Sequence, residues 1–196
     1  MARATKEDSE ATGRRILAEA GLLFSTLGYA GVSLDAAAEA ASVTRGAVYH
    51  HFGSKRGLFE AVAARAQLNV AEAVVHAADN EADPWEAMLA GCRAFLTASL
   101  AEDRRRVLLV DAPAVLGWNS WRQQDAAASG TLLHGALTDL AERGLIQVGS
   151  VAAATALLSG AMNEAALAIA DSQDGKLTLD DVMSDLRRML HGIRSQ

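Results

Sequence analysis

The chain has 196 residues, 51% of them hydrophobic, which is enough for one large or two small domains with a core that needs no covalent staples. A single cysteine, Cys92, excludes an internal disulfide framework and fits a reducing cytoplasm. No apolar run follows Met1, and no uninterrupted apolar stretch reaches about 18 residues, so neither a signal peptide nor a membrane span is expected.

The net charge of −6 is unevenly spread. The first 60 residues are neutral, and the remainder holds the whole excess. Within the neutral part, Ser42 to Phe59 contains Arg45, Lys55, Arg56, His50 and His51 and no acid, a locally positive segment compatible with an oriented contact to phosphate. Abundant alanine, only two prolines and few β-branched runs favour an all-α protein.

In chain order, Ile16, Leu17, Ala20, Leu23, Phe24 and Leu27 form one helical stripe that stops at Gly28, where a left-handed residue suits glycine. Ser33 reads as the N-cap of a short second helix, Leu34 to Ala41. Ser42-Val43 leaves room only for a tight turn before a third helix over about Thr44 to His51. Gly53-Ser54 breaks that helix, and Ser54 caps a long fourth one running to about Ala78.

Asp83-Pro84-Trp85-Glu86 is a helix start, with proline at the first helical position, and opens a fifth helix to about Leu100. A sixth is expected from Arg104 to about Leu116, disturbed by Pro113, and a seventh from Trp118 to Arg143, ended by Gly144. Ser150 opens an eighth to about Ala170, and "DSQDGK" reads as a loop. Thr178 with Asp181 resembles a capping box that opens a ninth helix.

The second and third helices and their turn form a helix-turn-helix pattern, whose second helix can enter a DNA major groove. Val48 and Phe52, four apart, face inward. Arg45 and Tyr49 share an outer face, with Gly46 and His50 beside them. Gly46 and Ala47 carry little side chain, so the backbone can approach base edges. Lys55, at the start of the fourth helix, is placed where outward amides and a positive dipole suit phosphate. A metal site on His50 and His51 is not expected, because adjacent helical residues diverge by about 100° whereas ligand pairs share a face at i, i+4. Cys92 has no CxxC partner, and no nucleophile elbow, phosphate loop or HExxH occurs, so no catalytic residue, cofactor or metal is expected.

Ile16 to Val62, with "LF…GY" ending the first helix, an alanine-rich second helix, Val43 after the turn, "YHHF" and "SK", resembles the DNA-binding domain of the tetracycline-repressor (TetR) family. The resemblance implies a homodimer on a palindromic DNA operator, released by a small-molecule effector in the C-terminal part. On this basis residues 1–53 form a three-helix DNA-binding domain, and 54–196 a helical effector-binding and dimerisation domain. Residue by residue, it places Thr44, Arg45, Gly46, Ala47, Tyr49 and His50 on the operator-facing helix. Arg45 suits guanine readout, and Ser33, Tyr49, His50 and Lys55 suit phosphate. His51 matches a position that contacts backbone in some members and packs in others.

Three departures stand out. The turn has Ser42 where the family usually has glycine, a cost of about 1 kcal/mol if the backbone is left-handed. Ala37 replaces a bulkier aliphatic residue, which suggests a thinner core. Asp35 would repel phosphate unless it accepts from a cytosine amine or points away.

In the C-terminal part, Phe95, Leu96, Leu109, Trp118, Trp121, His134, Met162 and Asn163 are candidate pocket residues. The eighth helix is apolar nearly all round, and its small-residue ridge Ala152, Ala156, Gly160, with Leu186 and Met189 of the ninth, suggests a four-helix dimer interface. Arg104-Arg105-Arg106 reads as a solvated cluster, with a second DNA-contact site or a hinge contact to the DNA-binding domain as the alternatives. Asp111, between apolar neighbours, needs a partner such as Arg122 or a cationic ligand. The expectation is a cytoplasmic, all-α, effector-responsive regulator, most often a repressor in this family. Rival readings are a DNA-binding dimer without effector and a helical binding protein or enzyme unconnected with DNA.

Overall fold

The computed structural model describes residues 6–172 and 176–195. Gln173, Asp174 and Gly175 of the expected loop, and Arg3 of the basic tally, lie outside the described residues. Among those described, nine helices account for the regular structure: α1 (Lys6–Gly31), α2 (Leu34–Ala40), α3 (Arg45–Phe52), α4 (Lys55–Asp79), α5 (Pro84–Leu100), α6 (102–116), α7 (118–142), α8 (Val151–Asp171) and α9 (Leu179–His191). Contacts divide the chain into two compact units. The first takes the chain up to Ala66 together with Glu102–Trp121. The second takes Gln67–Ala101 with Arg122 onward.

In the first unit α1 packs against α2, α3 and α6. Its stripe turns Ile16, Ala20 and Phe24 fully inward, while Leu27, at the edge of the expected stripe, is half exposed. Phe24 meets Phe59 of α4 edge-on at 5.0 Å, and Tyr29 meets Phe59 at 5.1 Å. Each fully buried phenylalanine contributes about 1.5–3 kcal/mol. Ala37 and Val48 are fully buried beneath the helix-turn-helix.

The turn between α2 and α3 is a Schellman motif. The Val43 amide donates to the Ala38 carbonyl and the Ser42 amide to that of Glu39, both at 2.9 Å. Ser42 has φ 51°, so serine does occupy a left-handed position there. Arg15 of α1 donates to the Ala41 carbonyl at 2.9 Å and so satisfies an acceptor at the end of α2.

Gly28 lies inside the span of α1 but is not helical, with φ 73° and ψ 171°. The chain breaks there and resumes for one turn, and α6 holds both sides of the break. The Arg106 guanidinium donates to the Thr26 carbonyl at 3.1 Å, while the Asp111 carboxylate accepts from the Tyr29 amide at 2.8 Å. Pro113 disturbs α6 as expected, and the disturbance takes the form of a π-helical stretch, Arg106–Asp111, immediately ahead of the α-helical Ala112–Leu116.

In the second unit α5 packs on α7, α8 and α9, and α7 on α8. Asp83 caps α5 by accepting from the Trp85 and Glu86 amides at 2.9 and 3.0 Å. Thr178 and Asp181 form the full capping box of α9. An antiparallel bridge pairs Ile146 with Arg194. A second π-helical stretch, Ala126–Gly130, interrupts α7. By length and composition α8 is apolar enough to cross a membrane, although no single uninterrupted apolar run reaches that length. Its apolar character is used on one side for packing on α5 and α7, and Asn163 is buried there while Glu164 is exposed.

Candidate nucleic-acid interface and ligand cavity

Helix α3 begins at Thr44, whose hydroxyl accepts from the Ala47 amide at 3.2 Å. It ends at Gly53, φ 71°, whose amide donates to the Tyr49 carbonyl. Val48 is buried and Phe52 half-buried, while Arg45, Gly46, Tyr49 and His50 are exposed on the other side. A Cβ added to Gly46 would meet only the Thr44 hydroxyl, at 3.7 Å. Packing within the chain therefore does not require glycine at that position, and the smoothness of the outer face is a property of the surface.

The sequence assigned no protein partner to Arg45. The structure gives it one, because its Nη1 donates to Asp35 Oδ2 of α2 at 3.2 Å. Both side chains are about two-thirds exposed, at 68% and 66%, so the pair contributes only about 0.2–1 kcal/mol and a nucleobase or phosphate can compete for the guanidinium. Asp35 thus faces an arginine, which offsets its negative charge on this surface.

Ser33 accepts from the Ala36 amide at 3.0 Å as the cap of α2. Lys55 lies over the Tyr29 ring, 4.5 Å from its centroid, and donates to the Ala30 carbonyl at 3.4 Å. Its neighbour Ser54 accepts from the Gly57 amide at 3.0 Å, which starts α4. His51 is half-buried, with its ring against Gly13 of α1, where an added Cβ would approach Nδ1 to 3.3 Å.

The basic run on α6 divides: Arg104 stays local, and Arg106 reaches α1, one of the alternative uses expected of the run. Arg104 grips Asp103 through two hydrogen bonds, at 2.8 and 3.0 Å, and this holds the Asp103 carboxyl below its ordinary range. Arg106 serves the Gly28 break. Asp111 meets Arg106, at 3.7 Å, and the Tyr29 amide, whereas Arg122 pairs with Asp125 at 2.8 Å. The expected Asp111–Arg122 pairing is therefore corrected, because α6 aims Asp111 at the α1 break.

The second unit holds a cavity of about 280 Å³ beside α4, α5, α7 and α8. Met88, Cys92 and Phe95 of α5, Leu132 and Leu133 of α7 and Met162 of α8 make it mainly apolar. Asp125, Ser129 and Ser159 supply the polar lining, with Asp79 and Asp139 alongside. Of the eight residues expected to line a pocket, Phe95 and Met162 do so. Leu96 is in the core, His134 is exposed and bonded to Thr155, and Asn163 donates to Asp125 at 2.9 Å instead of lining the space. Leu109, Trp118 and Trp121 belong to the first unit, where the two indoles lie 4.8 Å apart. Burial pushes the Cys92 thiol up to about 12, so it is a neutral wall atom. Burial also raises the Asp125 carboxyl, against the opposing hydrogen bond from Asn163 and the charge of Arg122. The sequence reading missed Asp125 and Ser129. Their only sequence signal is that "QQDAAASG" crowds small and polar residues into the middle of a helix.

A helix-turn-helix with an open, polar, small-residue outer face is the arrangement of a DNA-binding protein. The comparisons agree. Residues 16–62 match the family model for bacterial regulatory proteins of the tetR family, and residues 85–193 match that of the tetracyclin repressor-like C-terminal domain. The chain therefore belongs to the TetR family of transcriptional regulators, which are not enzymes. A TetR-family regulator from Pectobacterium atrosepticum superposes with a TM-score of 0.84 at 33% identity, over 98% of this chain and 99% of that one. The regulator AcrR of Shigella flexneri is 36% identical over 110 residues, 56% of this chain and 51% of that one, so the match spans about half the length of that curated relative. RolR in complex with resorcinol aligns with a TM-score of 0.73 over 95% of this chain and 90% of its own, but at 19% identity the likeness is one of fold.

Proposed function

We propose that the chain acts in the cytoplasm as a homodimeric repressor that binds a palindromic operator through α3 and is released by a small-molecule effector held in the cavity of the second unit. The observation that carries this reading is the outer face of α3. Arg45, Tyr49 and His50 stand exposed there around Gly46, a glycine that internal packing does not demand. On this reading Arg45 reads bases, and Ser33, Tyr49, His50 and Lys55 set the helix on the phosphates. His51, packed on α1, acts by orienting α3. Functionally the DNA-binding part is 1–53, and α4 links it to the rest.

Pairing of copies is supported by an apolar face that the protomer leaves open. Ala152, Ala156 and Leu157 of α8 are exposed, Leu157 at 76%, and Met189 of α9 is exposed at 69%. A Cβ on Gly160 would meet nothing within the chain. Leu186 is buried inside the protomer against this arrangement, so it supports the interface from behind. The effector would favour a spacing of the two α3 helices that no longer suits major grooves about 34 Å apart.

The test is selection of genomic fragments by the purified chain, followed by binding of the selected site over a salt series. An operator-binding dimer gives one palindromic motif and affinity that falls steeply with salt. Arg45→Ala should alter which sequences are preferred, and Lys55→Ala should weaken all of them similarly. Selection that returns no common sequence would sink the proposal.

A further inference from the structure

The polar side of the cavity is unusually specific. Ser129 is nine-tenths buried at 7% exposure, lines the cavity, and its hydroxyl has no hydrogen-bond partner among the described residues. A helical serine ordinarily bonds back to a carbonyl three or four residues earlier. Two residues on, Thr131 does so, donating toward the Ala126 and Ala127 carbonyls. Ser129 sits in the π-helical stretch and does not, so its buried donor and acceptor are left to whatever fills the cavity.

Asp125, one turn earlier on the same helix, also lines the cavity. Its Oδ2 is held by Arg122 and Asn163, neither of which lines the space. Asp79 and Asp139 are the other charged lining groups, and among the described residues no Lys, Arg or His lines the cavity. The wall therefore presents acceptors and one free hydroxyl, and no cation to meet an anion. Size is bounded in the same way. A cavity of roughly 150 Å³ holds benzene, so about 280 Å³ has room for on the order of eleven non-hydrogen atoms.

We propose that the effector is an uncharged or cationic, mainly apolar molecule of that size bearing one hydroxyl or amino group, which donates to the Asp125 carboxylate and hydrogen-bonds the Ser129 hydroxyl, and that carboxylates are rejected. This rests on the reading of the cavity as the effector site. Ser129 is then the residue that determines specificity for the polar group, and the apolar walls set affinity for the body.

The experiment titrates the full chain calorimetrically with three probes of ten or eleven non-hydrogen atoms: butylbenzene, 4-butylphenol and 4-ethylbenzoate. The phenol should bind about tenfold more tightly than butylbenzene, and the benzoate should be the weakest of the three. Ser129→Ala removes one oxygen from a helix and leaves the fold intact, as a melting curve checks. In that variant the phenol should fall to within about twofold of butylbenzene, with butylbenzene itself unchanged. Equal binding of phenol and butylbenzene, tight binding of the benzoate, or a phenol advantage that survives Ser129→Ala overturns the assigned ligand class while leaving the cavity as a binding site. Failure of all three probes overturns the cavity reading together with the class.

Discussion

Replacing Gly28 by alanine tests the joint between α1 and α6. Its φ of 73° and ψ of 171° lie in a region that is essentially glycine-only, and any side chain there costs on the order of 1–3 kcal/mol. The added Cβ would also fall on the Arg106 guanidinium, displacing it from the Thr26 carbonyl. That bond is half exposed, which limits its loss to about 0.5–1 kcal/mol. The sum, about 1.5–4 kcal/mol, corresponds to a fall in Tm on the order of 3–16 °C for a chain of this length. Thermal unfolding followed by circular dichroism reads it directly. The double variant Gly28→Ala/Arg106→Ala separates the causes, because the glycine replacement should cost about 1 kcal/mol less once the guanidinium is gone. A Gly28→Ala protein melting within about 2 °C of the parent would refute the strain. Strict additivity in the double variant would refute the contact.

Ser42→Gly should stabilise the chain by about 0.5–1 kcal/mol, because the left-handed residue of the Schellman turn then carries no Cβ, and a Tm that fails to rise in the same melt contradicts this. The Asp181 carboxyl is held below its ordinary value by hydrogen bonds from the Thr178 hydroxyl and amide, so its contribution is present above the unfolded aspartate pKa of about 4 and lost as pH falls through the lowered value. Urea unfolding from pH 5 downward should show the parent losing more stability than Asp181→Asn, and parallel curves for the two would dispose of the capping-box account.

The DNA-facing unit was far more legible in the sequence than the cavity. The stripe from Ile16 to Phe24 and the inward Val48 follow from periodicity, which is local, and the left-handed backbone at Ser42 was raised by the glycine that the family has at that turn. The caps at Ser33, Ser54, Asp83, Ser150 and Thr178 were legible because capping is likewise local, and each accepts the amide its position implies, whereas Thr44, read as the first residue of α3, is its cap. The cavity depends on which helices meet at a distance in the chain. Leu109, Trp118 and Trp121 have the composition of pocket residues, yet they fall in the other packing unit. Asp125 and Ser129 have the composition of a solvated helix, yet both are buried. The Arg45–Asp35 pair joins residues ten apart across a turn, and no rule of helical spacing pairs them. The partner of Asp111 was misplaced because the break at Gly28 offers a free amide to capture, which the sequence read only as a helix stop.

The π-helical stretch in α7 makes this region sensitive to chain length. A π turn accommodates one residue more than an α turn, and each helical residue advances the side chains by about 100°. Deleting one of Ala126, Ala127 or Ala128 would restore regular α-helix and keep the chain readable as a helix. Because the π turn absorbs the extra residue, Leu133, Leu137 and Leu140, now buried, would keep their faces relative to Asp125, and the change would fall on the stretch that carries Ser129. A single-residue gap at "AAAS" in an otherwise similar chain would therefore mark a change in cavity shape rather than a trimmed loop. Conversely, an extra alanine there re-aims a serine on the cavity wall without altering the helix-turn-helix.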